Sequence, residues 1–151
     1  MKNENAHKTA ITRYKLSAPI KTLIAKNVLI GSVADFGCGK GFDADQLGFN
    51  KYDPHFFPEE LTDKYDTIVN NFVLNVVDQT EENAVLSKIF NLLTENGTAY
   101  ITVRRDVKED GFTKSGTYQR NVILDLPIFK ESKGKWCIYK LEKPVPTLKN
   151  S

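Results

Sequence analysis

The stretch Val33-Ala34-Asp35-Phe36-Gly37-Cys38-Gly39-Lys40-Gly41 decides the fold. An apolar pair enters, an acid stands where a short buried strand would end, and glycines follow at alternate positions. Glycine is needed where the backbone takes positive φ, or where a ligand must lie against the main chain with no Cβ between. The segment therefore reads as strand, tight turn and helix start. Such a turn at a strand's carboxyl end is where open α/β sheets bind nucleotides. The spacing excludes two common versions. Gly-x-Gly-x-Gly is not the dinucleotide fingerprint Gly-x-Gly-x-x-Gly, and a phosphate-cradling loop needs Ser or Thr after Gly-Lys, where this chain has Gly41. The turn points to a nucleoside without a pyrophosphate; an ordinary glycine-rich turn is the plain alternative.

Asp53 is the second signal. It ends the next expected strand, Phe49-Asn50-Lys51-Tyr52. A ribose-binding acid is expected about 20 residues beyond the glycine turn. A carboxylate there accepts hydrogen bonds from both ribose hydroxyls. Its plain alternative is a surface turn acid, since Asp-Pro opens turns.

With Asp35 directly before the glycines, the segment resembles motif I of the class I S-adenosylmethionine-dependent methyltransferases. Ala6-His7-Lys8-Thr9-Ala10-Ile11-Thr12-Arg13, Tyr52-Asp53-Pro54-His55-Phe56-Phe57-Pro58 and Asn71-Phe72-Val73-Leu74-Asn75-Val76-Val77 narrow it. They resemble the small methyltransferases associated with DNA phosphorothioation gene clusters, and short phage-type relatives. The resemblance runs from Ala6 to Arg105 and implies a Rossmann-like α/β fold. Its sheet is mostly parallel and closes in a C-terminal antiparallel hairpin. It also implies S-adenosylmethionine as cofactor and says little about the acceptor.

Carried over by position, Asp35, Gly37, Gly39 and Gly41 form the turn around the methionine part, with Phe36 and Cys38 between them. Asp53 holds the ribose, and Pro54 and His55 lie beside the adenosine. Asn70 and Asn71, at the fourth-motif position, line the methyl-transfer face, and Phe72 covers it. One departure is plain. A full-sized member places a helix, a strand and a second helix between Asp53 and Tyr65, where this chain has room for a loop. The sheet is expected to be shortened in the middle and to lack an edge strand.

A sulfonium methyl is already activated, so alignment of the nucleophile is the main requirement, and no catalytic residue stands out. Adenine-N6 and cytosine-N4 enzymes carry two prolines after the fourth-motif Asp, Asn or Ser; here the run is Asn70-Asn71-Phe72. Cytosine-C5 enzymes need a Pro-Cys nucleophile, which is missing. Nucleic acid stays open as an acceptor only through the gene-cluster association. Substrate candidates are Arg13, Arg104, Asp106, Tyr118 and Gln119, with His7, Arg105 and Arg120 behind them. Asp106 follows a strand's carboxyl end, where α/β sheets put their sites. Trp136 and Phe129 read as packing rather than as base-stacking platforms. The rival reading is a module that holds the cofactor without methyl transfer and acts through a partner.

Composition agrees with one soluble domain of 151 residues, 40% hydrophobic and 26% charged. A net charge of +2 is too small to argue for nucleic acid or a membrane surface. Cys38 and Cys137 make neither a disulfide framework nor a zinc site, and a reducing, cytoplasmic setting is expected, with no metal. No apolar run approaches the ~20 residues of a membrane span.

The remaining elements follow from local signals. Ser17-Ala18-Pro19 opens a helix with Ile20, Leu23 and Ile24 on one face, and Phe42–Leu47 makes a short one. Tyr65–Asn70 is a strand. Asp78 and Glu81 form a capping box for a helix carrying Val85, Leu86, Ile89, Phe90 and Leu93, ended by Asn96-Gly97. Thr98–Val103 is a strand, and Arg104–Gln119 a polar loop of a length that is usually functional or disordered. Asn121–Leu126 and Trp136–Leu141 are the closing hairpin, turning near Gly134. Residues 1–8 and 142–151 are expected to be loose.

Overall fold

Residues 6–144 are described by the structure, a computed structural model. A 3-10 turn at Ala6–Thr9 precedes α1 (Ala18–Ala25), β1 (Val33–Phe36), α2 (Phe42–Leu47) and β2 (Asn50–Tyr52). Then come β3 (Tyr65–Asn71), a 3-10 turn at Leu74–Val76, α3 (Gln79–Leu92) and β4 (Leu93–Arg104). The chain continues through β5 (Gly111–Phe112), β6 (Tyr118–Gln119), β7 (Ile128–Ser132) and β8 (Trp136–Glu142).

Six strands make one sheet in the order β2-β1-β3-β4-β8-β7, and β5 and β6 pair separately. β1 to β4 are mutually parallel, and β8 and β7 run antiparallel to their neighbours. The expected fold class therefore holds. Between β2 and β3 the described chain forms no further helix or strand. β2 is the edge of the sheet, and the chain from Asp53 to Tyr65 adds only an isolated bridge between Asp53 and Phe57.

Both faces of the sheet are covered. On one, Ile20 and Leu23 of α1 are fully buried against Val69, Tyr100 and Ile138. On the other, Ile89 of α3 is buried with Ala34, Ile68, Leu93 and Ala99. Burying such a side chain contributes about 1.5–3 kcal/mol. Ile24, expected on the same helical face as Ile20 and Leu23, is exposed.

The cap of α3 forms as expected: the Glu81 N–H donates to Asp78 Oδ1 at 2.9 Å. Its end does not. The helix stops at Leu92, short of Asn96-Gly97, because the buried Leu93 pairs with Tyr65 of β3. The register then shifts so that Thr67 meets Thr98, and Asn96, at φ 65°, turns within this irregularity.

The first hairpin strand is also corrected. It is Ile128–Ser132, not Asn121–Leu126. Val122 and Leu124 are buried, so the alternation was a true record of an inward face. The backbone there bonds side chains instead of a ladder: Asn121 N–H donates to Asp110 Oδ1, and Val122 C=O accepts from Arg105.

Two ends thought loose carry structure. Residues 6–8 lie in the first 3-10 turn, and Lys143 exchanges backbone hydrogen bonds with Asn96 and Gly97. Residues 1–5 and 145–151 lie outside the described residues. Among the described residues, no helix is long and apolar enough to cross a membrane.

Candidate functional site

The chain leaves β1 toward β2 on one side and returns in β3 on the other. The carboxyl ends of β1 and β3 therefore part at a topological switch point, where open α/β sheets form a crevice. The glycine turn sits there. Gly37, Gly39 and Gly41 have φ of 91°, 57° and 85°, which L side chains rarely adopt. Both the Gly37 and Cys38 N–H groups donate to the Tyr52 carbonyl, at 2.7 and 3.0 Å, tying the turn to the end of β2. A Cβ on Gly37 would stand 2.3 Å from Val73 Cγ2, whereas on Gly39 it would meet only Ala10, at 3.3 Å.

Asp53 faces this turn. Its Oδ2 accepts the Gly39 N–H at 2.9 Å, and its Oδ1 accepts the N–H groups of His55 and Phe56 at 2.9 and 3.1 Å. The turn and the acid therefore touch directly at the switch point, outside the two clefts described below. Pro54 and His55 are exposed beside it.

Beneath the turn lies Asp35, buried, with Oδ1 lacking a hydrogen-bond partner among the described residues. Burial pushes its carboxyl up to about 8, and the charges of Asp43 and Asp53 push the same way. Asn71 Oδ1 and Thr102 Oγ1 are buried and unpartnered too. Asp35 is in register with Val69, and Asn71 with Thr102, so all three side chains share the sheet face that α1 covers. Asn70 lies on the opposite face. Its Nδ2 donates to the Phe36 carbonyl, and its Oδ1 has no partner among the described residues. Phe72 leaves β3 at φ 62°, a strained conformation for a bulky residue, held by its N–H donating to Thr102 O at 2.8 Å.

Cys38 is half-buried, and burial with the nearby Asp35 and Asp53 charges pushes its thiol up to about 12. It stays a neutral thiol at ordinary pH, a poor nucleophile.

The substrate candidates are scattered. A cleft of about 690 Å³ beside the carboxyl end of β4 brings Arg104, Asp106 and Gln119 together with Lys108 and Phe112. Within it, Arg104 and Asp106 are spent on each other through a two-pronged pair at 2.7 and 2.8 Å. Gln119 offers a buried Oε1 without a partner among the described residues. Tyr118 packs its ring on Phe112, and Arg13 follows the first 3-10 turn, half-exposed. Arg105 and Arg120 are structural: the first bonds Val122 O and Tyr139 OH, the second Glu82 and Val77 O. Phe129 packs edge-on to Tyr100, as the packing reading expects. A second cleft, of about 650 Å³, lies at the opposite, amino end of the sheet between Gly31, Val33, Asn50 and Tyr65.

Sequence reasoning missed three contributors. Asp43 accepts the Ser17 N–H at 3.0 Å and its hydroxyl at 2.7 Å, fixing the entry of α1 against the turn; in the sequence it reads as an ordinary acid at a helix start. Asn75 accepts the Arg104 N–H and donates to Arg120 O, joining the loop after β3 to both ends of the polar loop. Thr102, inside an apolar strand, gave no signal.

No family model matches the chain, and no curated protein does. Solved structures do. The complex of DhpI with SAH is 12% identical with a TM-score of 0.56, over 85% of this chain and 83% of that one. N-methyltransferase NodS from Bradyrhizobium japonicum WM9, in complex with S-adenosyl-l-homocysteine, is 10% identical with a TM-score of 0.54, over 83% and 84%. Magnesium protoporphyrin IX methyltransferase (ChlM) from Synechocystis PCC 6803 with bound SAH is 14% identical with a TM-score of 0.53, over 92% and 93%. At such identities the likeness is one of architecture: this chain has the Rossmann-like fold of these methyltransferases.

Proposed function

We propose that this protein binds S-adenosylmethionine between the glycine turn and Asp53 and transfers its methyl group to an acceptor. The observation that carries the reading is the Gly39–Asp53 hydrogen bond, which puts a glycine backbone bordered on its Cβ side only by Ala10 next to a carboxylate able to accept from a ribose. The residues fit the cofactor in two further ways. Asp35 offers a buried carboxyl that a cationic amino group would ionise and satisfy. Asn71 presents an unpartnered carbonyl oxygen on the same sheet face as Asp35, while Asn70 points to the other face.

The cofactor would supply an activated methyl. The protein's part is alignment, a contribution of about 7–11 kcal/mol when geometry is good. In this reading Asp53, Pro54 and His55 hold the nucleoside, Asp35 and the glycine turn hold the amino-acid part, and Phe72 shields the transfer face from water. The cleft with Gln119 beside β4 admits the acceptor. The narrower resemblance to phosphorothioation-associated methyltransferases makes DNA the acceptor to try first. Two unpaired thiols suit a reducing cytoplasm.

A second reading has one observation behind it. β2 is left as a bare edge where a full-sized relative continues the sheet, which suits a cofactor-holding module that works against a partner. Calorimetric titration with S-adenosylmethionine and S-adenosylhomocysteine tests both, and no heat from either ligand would end both. Tritiated-methyl transfer to DNA, RNA, protein and small-molecule pools then separates them. Incorporation establishes the enzyme; binding without incorporation favours the module.

A further inference from the structure

The chain has two histidines, 48 positions apart, and they stack on each other. The imidazole rings of His7 and His55 lie 3.9 Å apart at 12°. His55 is one of the residues that the proposed function places beside the nucleoside. Its backbone is held to Asp53 through an N–H···Oδ1 bond of 2.9 Å, and Phe56 stands edge-on to its ring at 4.6 Å. One face of a ring built into the nucleoside site is therefore already taken, by another flat heteroaromatic ring of the same chain.

The rest of that segment follows the same rim. The Ala10 methyl is 3.3 Å from where a Cβ of Gly39 would be, on the side the glycine leaves open. Thr12 Oγ1 accepts from Lys40 Nζ at 2.9 Å. Residues 7, 10 and 12 thus meet His55, Gly39 and Lys40 in turn. The segment holds its own shape: Ala10 N–H donates to His7 O at 3.1 Å, and Thr9 Oγ1 to Ala6 O at 2.6 Å. None of Ala6–Thr9 is fully buried, and of these only Ala6 packs against a core cluster, so little core is lost if residues 7–12 swing away about it.

We propose that Ala6–Thr12 is a strap whose His7 ring stands in for the purine on the face of His55 and must give way when the ligand binds. The proposal rests on the nucleoside-site reading. Aromatic faces are interchangeable stacking surfaces, so a ring of the chain and a base of the ligand compete for one place. A site open only part of the time binds with an affinity reduced by that fraction.

The test is calorimetric titration of S-adenosylhomocysteine into the wild-type chain, His7→Ala and His7→Phe. Removing the ring should tighten binding about threefold or more. The phenylalanine keeps a flat ring and should stay near the wild-type affinity. In nitrogen-edited spectra of the wild type, the ring signals of both histidines should move on titration. Unchanged or weaker binding by His7→Ala, with the wild type still binding, overturns the strap and leaves the site standing. If none of the three proteins binds, the site reading falls and the strap with it.

Discussion

The carboxylate of Asp53 and the backbone N–H of Gly39 meet at 2.9 Å, across the gap between the end of β2 and the glycine turn. With the N–H groups of His55 and Phe56, three donors already point at this one carboxylate. A carboxylate has about four lone-pair sites. Asp53 therefore fixes the turn and keeps room for about one more donor, one ribose hydroxyl rather than the two expected from the sequence, unless a ligand displaces a backbone N–H.

Asp53→Ala should accordingly act twice. Affinity for S-adenosylhomocysteine should fall by about 1.5–3 kcal/mol, the range for hydrogen bonds to a charged group. The melting temperature should fall as well, because three backbone donors lose their acceptor. Titration and thermal melting on the same sample check both. An affinity equal to wild type would remove Asp53 from the ligand.

Asp35 gives a pH prediction. Its carboxyl rises from 3.8 to about 8 in the folded chain. Between those values the folded state keeps a proton that the unfolded state has lost, so stability falls as pH rises through that window. Asp35→Asn should flatten this slope in urea unfolding followed from pH 5 to 8. A cationic group brought beside Asp35 would pull its pKa down again. At pH 7, binding should then release up to one proton, seen as heats that vary with the buffer's ionisation enthalpy. The asparagine variant should show no such variation; if it matches the wild type, another group is the proton source.

The sequence carried the crevice because its parts are local. Gly37, Gly39 and Gly41 are forced by backbone φ, and Asp53 closes a strand whose length the next turn fixes. The mostly parallel sheet with its closing hairpin was expected from the resemblance alone, and the order of the strands was not legible. Three further things were not legible. Whether Asn121–Leu126 or Ile128–Ser132 pairs with β8 is decided across the sheet, since the apolar alternation lies in the first segment while the second, apolar only at Ile128 and Phe129, makes the ladder. The end of α3 depends on Tyr65 claiming Leu93, a partner 28 positions away. The His7–His55 stack and the Ser17–Asp43 anchor are long-range meetings of residues with no local pattern.

The polar loop is tied to the fold by Glu82 and Arg120, whose charged groups meet at 2.7 Å with both side chains below a tenth exposed. Glu82→Gln removes one charge and leaves the other buried. That should cost about 3–5 kcal/mol in urea unfolding. Replacing both by apolar residues, Glu82→Leu with Arg120→Met, should recover most of the loss, because no isolated charge remains. If the double variant is no better than the single one, the pair is held by more than charge balance.

Gly37 tests how the turn and the loop after β3 depend on each other. A methyl there meets two separate obstacles. The backbone is at φ 91°, and Val73 Cγ2 stands 2.3 Å from the new Cβ. The left-handed conformation alone costs about 1–2 kcal/mol for a residue with a Cβ. The collision adds to it, because a valine in a packed loop has little rotamer freedom with which to move aside. Gly37→Ala should therefore lose more stability than the backbone cost. Val73→Ala removes the obstructing methyl groups and leaves φ untouched. In the double variant the penalty should shrink to the backbone part, which gives a favourable coupling of about 0.5–3 kcal/mol in a double-mutant cycle. Strict additivity would mean that the loop shifts freely, and Val73 would then have no part in holding that loop against the turn.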